Sequence, residues 1–243
     1  MNIRAETSDQ SRGPVASYRH SLGFLGIVAL TMLAGFFAQH QATAGGGITS
    51  DRSGMIPLYL SAIVMNGLLV YFVWGGVRHH GGNLFDLIGG RWASWRDLGR
   101  DLAIAAPFWL VLKAAAWGMA WLLGQDHAKT VDVLLPHGVL EVSLWIAVSA
   151  MAGFGEELVF RGYVQRQALA LSGSTLIAVI GQGVLFGVMH AYQGWKAVVV
   201  ISGMGMLFGW LAVWRRNLRV GMLAHGWQDL WAGWLSHLCG VPF

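Results

Sequence analysis

Cysteine and charge are what this chain of 243 residues has least of. Its one cysteine, Cys239, excludes an intramolecular disulfide and cannot build a thiolate metal cluster. Only 12% of the residues are charged, against roughly 25% in an ordinary soluble domain, so a solvated globular surface is excluded as well. Two common hydrolase signatures are also missing. There is no Gly-x-Ser-x-Gly elbow and no His-Glu-x-x-His pair, which makes serine and zincin chemistry weaker readings.

What is present is apolar. Hydrophobic residues make up 55% of the chain and mean hydropathy is +0.53, the balance of an all-α, polytopic membrane protein. Apolar runs at about 21–38, 55–77, 102–123, 138–155, 176–200, 201–214 and 220–238 predict seven transmembrane helices. The isoelectric point near 9.6 does not indicate nucleic acid, because thirteen of the sixteen basic residues are arginines placed between apolar runs. Topology accounts for them. With the N-terminus in the cytoplasm, Arg78, Arg91, Arg96, Arg100, Arg161, Arg166, Arg215, Arg216 and Arg219 fall on the cytoplasmic side, and only Arg52, Lys129 and Lys196 fall outside. The expected setting is therefore a cell (inner) membrane, with the chain as a multi-pass bundle in the lipid bilayer.

Residues 1–20, with Arg4, Arg12 and Arg19, read as a disordered cytoplasmic tail. Helices with only spanning duties fill 21–140, and 141–243 holds the polar constellations. Ala42-Thr43-Ala44 resembles a signal-peptidase site, but the preceding run is long and its lead-in polar, so a retained first helix is expected. In 79–101, Leu84, Ile88, Trp92, Trp95 and Leu98 recur at helical spacing between charges and predict a helix lying in the interface. Lys113 falls mid-span, where it is expected to face a cavity or a carboxylate such as Glu141. Gly183 with Gly187 and Gly205 with Gly209 are spaced for close helix packing.

Three polar groups interrupt the second half. Glu156 and Glu157 stand together inside an apolar stretch, and Glu157 is four residues before Arg161, where a helix lets the two pair. Glu156, rotated about 100° from its neighbour in an α-helix, has no partner on its own helix and suits a general base. His190 ends an apolar run one turn after Phe186. His225 and Asp229 share a helix face, able to act on a water, a carbonyl oxygen or a metal, or serving only as an orienting pair. A turn at Ser172-Gly173-Ser174 would bring Glu156, sixteen residues before it, level with His190, sixteen after it. His225 lies nine residues past Arg216, roughly 13 Å along a helix, so convergence of all three requires part of that hairpin to project from the membrane.

These residues resemble the CPBP intramembrane proteases, which include the type II CAAX prenyl endopeptidases and bacteriocin-processing or self-immunity proteins. The pattern E-E-x-x-x-R, F-x-x-x-H, H-x-x-x-N/D is met by Glu156, Glu157 and Arg161, by Phe186 and His190, and by His225 and Asp229. The resemblance covers about residues 141–231. It implies water activation by Glu156 with His190, oxyanion stabilisation by the last motif, and a membrane-anchored protein or peptide as substrate. It implies no cofactor. The commoner pattern has Asn where this chain has Asp229; an amide donates to an oxyanion, whereas an ionised carboxylate repels it. Either Asp229 is protonated or it orients His225, or else His190, His225 and Asp229 hold zinc with Glu156 as base. A non-catalytic immunity or scaffold protein and a metal- or haem-binding protein using His190 and His225 are the other classes the residues allow.

Overall fold

The computed structural model describes residues 13–44, 54–124 and 135–235, with side chains of 34–44 and 234–235 left aside. Arg4, Arg12, Arg52, Lys129 and Cys239 lie outside the described residues. The described chain is helical throughout, with no strand. Its elements are α1 (Tyr18–Ala44), α2 (Met55–His79), α3 (Leu84–Ile88), α4 (Trp95–Leu122), α5 (Gly138–Met151), a π-helical stretch (Ala152–Val164), α6 (Gln165–Ser172), α7 (Thr175–Met189), α8 (Trp195–Arg215) and α9 (Arg219–Leu230).

Seven spans are not reached among the described residues. Four helices are long and apolar enough to cross a membrane: Met55–His79, Trp95–Leu122, the continuous Gly138–Ser172, and Trp195–Arg215. The run at 138–155 does not end there, because α5 passes into the π stretch and α6 without a break. The runs 176–200 and 201–214 divide at 190–194 instead of near 200: His190 caps α7, a 3-10 turn follows (Ala191–Gln193), and Gly194 takes φ 93° before α8 begins. This leaves α7 at fifteen residues, about 22 Å of helix and short of a full crossing.

The expected interfacial helix over 79–101 is also corrected. Asn83 and Asp86 form a reciprocal cap on α3, but α3 stops after five residues at Gly89 and Gly90, both with left-handed φ near 85°. A Cβ on Gly89 would lie 2.6 Å from Asn217 Cβ, and Leu218 N–H donates to Ile88 O (2.9 Å). That contact with the α8–α9 turn holds the chain out of helical register until Ser94 caps α4 through Asp97 N–H. Within 1–20, the described residues are ordered against the bundle: Val15 and Ala16 N–H both donate to Gln167 Oε1, and His20 meets Tyr163 OH at 2.7 Å.

Other local signals are realised as expected. The turn falls at Ser172-Gly173-Ser174, with Gly173 left-handed and Ser174 Oγ accepting from Ile177 N–H. Helices α7 and α8 pack at backbone distance, since a Cβ on Gly205 would lie 3.0 Å from Gly183 Cα.

Two apolar cores result. One gathers Phe24 of α1, Val73 and Val77 of α2, Leu158 and Phe160 of the π stretch, and Phe186 of α7. The other gathers Ala105 and Leu112 of α4, Phe208 and Leu211 of α8, and Val220 and Ala224 of α9. Glu157 immediately precedes Leu158 of the first core, and His225 follows Ala224 of the second, so the polar residues sit at their junction.

Candidate active site

Two close approaches bring the motifs together. A Cβ on Gly153 would lie 2.6 Å from Gly226 N and 2.8 Å from Met222 O, so the π stretch crosses α9 with no side chain between them. One turn on, Gly221 leaves room for Glu157, whose Oε2 lies 2.8 Å from where a Cβ would stand. The π-helical winding matters too. With i→i+5 bonding the two carboxylates diverge less than in an α-helix, and both reach the same imidazole.

Glu157 is 1% exposed, and its Oε1 accepts from Arg161 Nη1 (2.9 Å) and from His225 Nδ1 (3.0 Å). The expected Glu157–Arg161 pair is therefore present, but Glu157 is shared with the histidine. Arg161 is buried within the protein at 2% exposure. Its Nη2 donates to Gly205 O (3.1 Å), and its guanidinium lies 4.5 Å from the Phe186 ring centroid and 5.0 Å from that of Phe208. Gln182 Nε2 also donates to Gly205 O (2.8 Å).

His225 is stacked on Phe208, with centroids 5.2 Å apart, and meets Phe186 edge-on. With Nδ1–H donating to Glu157, the other nitrogen looks towards two more carboxylates: Nε2 is 3.7 Å from Glu156 Oε2 and 3.8 Å from Asp229 Oδ2. Asp229 is held through its backbone, whose O accepts from Trp145 Nε1 (2.8 Å). His190 Nδ1–H donates to Phe186 O (2.8 Å), which fixes the ring and leaves Nε2 as the acceptor in the neutral imidazole.

Glu156, His190, His225 and Asp229 all line one cavity of about 680 Å³. Neither Glu157 nor Arg161 is among the lining residues: Glu157 stands behind the cavity in contact with His225, and Arg161 is bonded to Glu157. Lys113 also lines the cavity, as Asp229 does. Glu141, offered by the sequence as a partner, accepts from His137 N–H at the start of α5. Among the described residues no three His, Cys, Asp or Glu side chains are gathered as a metal-holding group.

Several participants carried no chemical signal in the sequence. Gly205 read as a packing residue, yet its carbonyl receives both Arg161 and Gln182. Phe208 lay unremarked in an apolar run and supports both Arg161 and His225. Asn66, on α2, lines the cavity as well, and its amide inside an apolar span is a signal that the sequence does carry.

Compared with known proteins, the chain matches no curated protein and no solved structure. Residues 138–237, which hold Glu156, Glu157, Arg161, His190, His225 and Asp229, match the family model described as type II CAAX prenyl endopeptidase Rce1-like, so the segment that carries this site is Rce1-like, as its CPBP motifs imply.

Proposed function

We propose that this protein is a CAAX-type intramembrane endopeptidase that hydrolyses a peptide bond of a membrane-associated protein or peptide with water activated by Glu156. The observation that carries the reading is the setting of His225: clamped at Nδ1 by a buried carboxylate, it turns Nε2 into the cavity between Glu156 and Asp229.

In this reading Glu156 takes a proton from the water as its oxygen bonds to the scissile carbonyl carbon. The carbonyl π pair moves onto oxygen, and protonated His225 donates from Nε2 to that oxyanion. His190 Nε2 accepts the water's other hydrogen and so aims the attacking lone pair. Collapse of the adduct re-forms the carbonyl and breaks the C–N bond, and Glu156 returns its proton to the leaving nitrogen. Asp229 keeps the imidazole oriented and charged, while Glu157, fixed by Arg161, holds the far side of the ring. No metal takes part. Activity that survives exhaustive chelation supports this mechanism; activity lost on chelation and restored by zinc replaces it with a zinc site of His190, His225 and Asp229.

The N-terminus lies in the cytoplasm in this reading. Arg215 and Arg219 meet Asp101 of α4, and Arg166 donates to Asp86 O and Leu87 O, which collects these arginines at one end of the bundle. With Cys239 replaced, Ser94→Cys and Ser172→Cys should react with an impermeant thiol reagent only from the cytoplasmic face. Labelling from outside reverses the orientation.

The decisive experiment compares membrane and secreted peptides from cells carrying wild-type protein or Glu156→Gln. A substrate accumulates uncut in the variant and its fragments vanish. Identical peptide sets, with both proteins present and folded, would favour a non-catalytic immunity or scaffold role.

A further inference from the structure

The proposed site is overloaded with negative charge. Three carboxylates, Glu156, Glu157 and Asp229, surround one imidazole, and the arginine beside them is engaged by Glu157. An oxyanion that accepts from His225 Nε2 also meets repulsion from Asp229, whose Oδ2 lies 3.8 Å from the same nitrogen. Compensation is available from a helix that the family match does not reach. Lys113 lies in the middle of α4, nine residues before its last residue, Leu122, or about 13 Å from that end.

The register of α4 against α9 is pinned. Trp109 Nε1 donates to Gln228 Oε1 (2.8 Å), and one turn further along α4 stands Lys113, while one residue further along α9 stands Asp229. Phe108 of α4 packs edge-on against Phe208, on which His225 is stacked, so the same helix also braces the imidazole. Lys113 and Asp229 both line the cavity, and each is among the charges acting on the other. A mid-span ammonium is costly in a bilayer and persists only where it has work to do or a partner to meet.

We infer that Lys113 is a positioning residue of the hydrolytic site: facing Asp229 across the cavity, it cancels that carboxylate's charge on the side where the oxyanion develops. The inference rests on the endopeptidase reading, and it makes the need for Lys113 conditional on the acid at 229. An amide there carries no charge to cancel.

The test is a double-mutant cycle on the purified full-length chain in detergent, with Lys113→Met, Asp229→Asn and the double variant, and Lys113→Arg as the conservative control. The first arm is thermal melting without substrate. Lys113→Met should lower the midpoint in the wild-type background and leave it unmoved in Asp229→Asn. The second arm is turnover of a quenched fluorescent peptide ending in a farnesylated CAAX sequence. Lys113→Met should cut kcat about tenfold with KM within about twofold, and the same change should cost less than about twofold once Asp229 is Asn. Lys113→Arg should keep most of the rate. Additive effects in either arm overturn the inference. A folded wild type that leaves this peptide intact overturns the CAAX-type reading instead, while the melting arm still decides whether the pair exists.

Discussion

Two buried carboxylates in this bundle invite opposite conclusions. Asp101, wholly inaccessible, uses both oxygens: Oδ1 meets Arg215 Nη2 (3.1 Å), and Oδ2 meets Arg219 Nε (3.1 Å) and Trp92 Nε1 (2.9 Å). Glu157 is as deeply buried but lopsided. Its Oε1 takes both Arg161 and His225, and its Oε2, buried against Gly221, has no hydrogen-bond partner. The first cluster ties α4 to the α8–α9 turn, with Nε of Arg215 and of Arg219 left without a hydrogen bond. The second leads through His225 to two further carboxylates and a cavity. Burial of charge therefore does not distinguish a latch from a site; what marks the second cluster is that it leads on, through His225, to a cavity that a substrate can fill.

The sharpest way to separate the clusters is Glu156→Gln. The amide keeps the volume and loses the basicity, so turnover should fall about 10³-fold while the melting midpoint in detergent stays within about 2 °C. A comparable loss of melting temperature would make Glu156 a structural residue. Glu157→Gln should cost both properties, because it strips Arg161 of its counter-charge and His225 of its clamp. A loss of about 3 kcal/mol in stability is expected, together with a lower rate per folded molecule, measured by melting and active-site-normalised turnover. Asp101→Asn should cost a similar but smaller stability, about 2 kcal/mol for the partly accessible Arg215 and Arg219 it abandons, with turnover per folded molecule retained. A rate defect there would join the two clusters functionally. The smallest effect is expected for Asp229→Asn, which exchanges a carboxylate for an amide able to donate to the oxyanion; turnover should change by less than about tenfold. A dead variant would show that the carboxylate itself is required.

The polar pattern was legible because the bilayer makes it so. An apolar chain has few reasons to place Glu156, Glu157, Arg161, His190, His225 and Asp229 within its spans, and their order and separations were enough to group them. The hairpin at Ser172-Gly173-Ser174 was equally plain, since Gly173 and the Ser174 cap act within a few residues of themselves. The helix expected over 79–101 fails where a contact from far along the chain overrides local preference. The heptad-like spacing of Leu84, Ile88, Trp92 and Trp95 signalled one amphipathic helix, and Asn217 pressed on Gly89 broke it. Hydropathy divides 176–200 from 201–214 near 200, past the true break at 190–194, because that break is short, with Gly194 at φ 93° marking a turn that apolar averages pass over.

By itself, then, the sequence determined that the chain is helical and membrane-embedded, and which ionisable groups it carries into the apolar interior. Composition and short-range periodicity suffice for that, because the bilayer leaves the backbone few alternatives. Which carboxylate holds His225, where Arg161 goes, and that Lys113 and Asp229 line one cavity were decided only by tertiary structure. Those outcomes depend on how the π stretch crosses α9 at Gly153 and Gly226 and on how Trp109 registers α4 against Gln228. A shift of one residue at either crossing rotates a charged side chain out of reach, and no local preference in the chain encodes that choice.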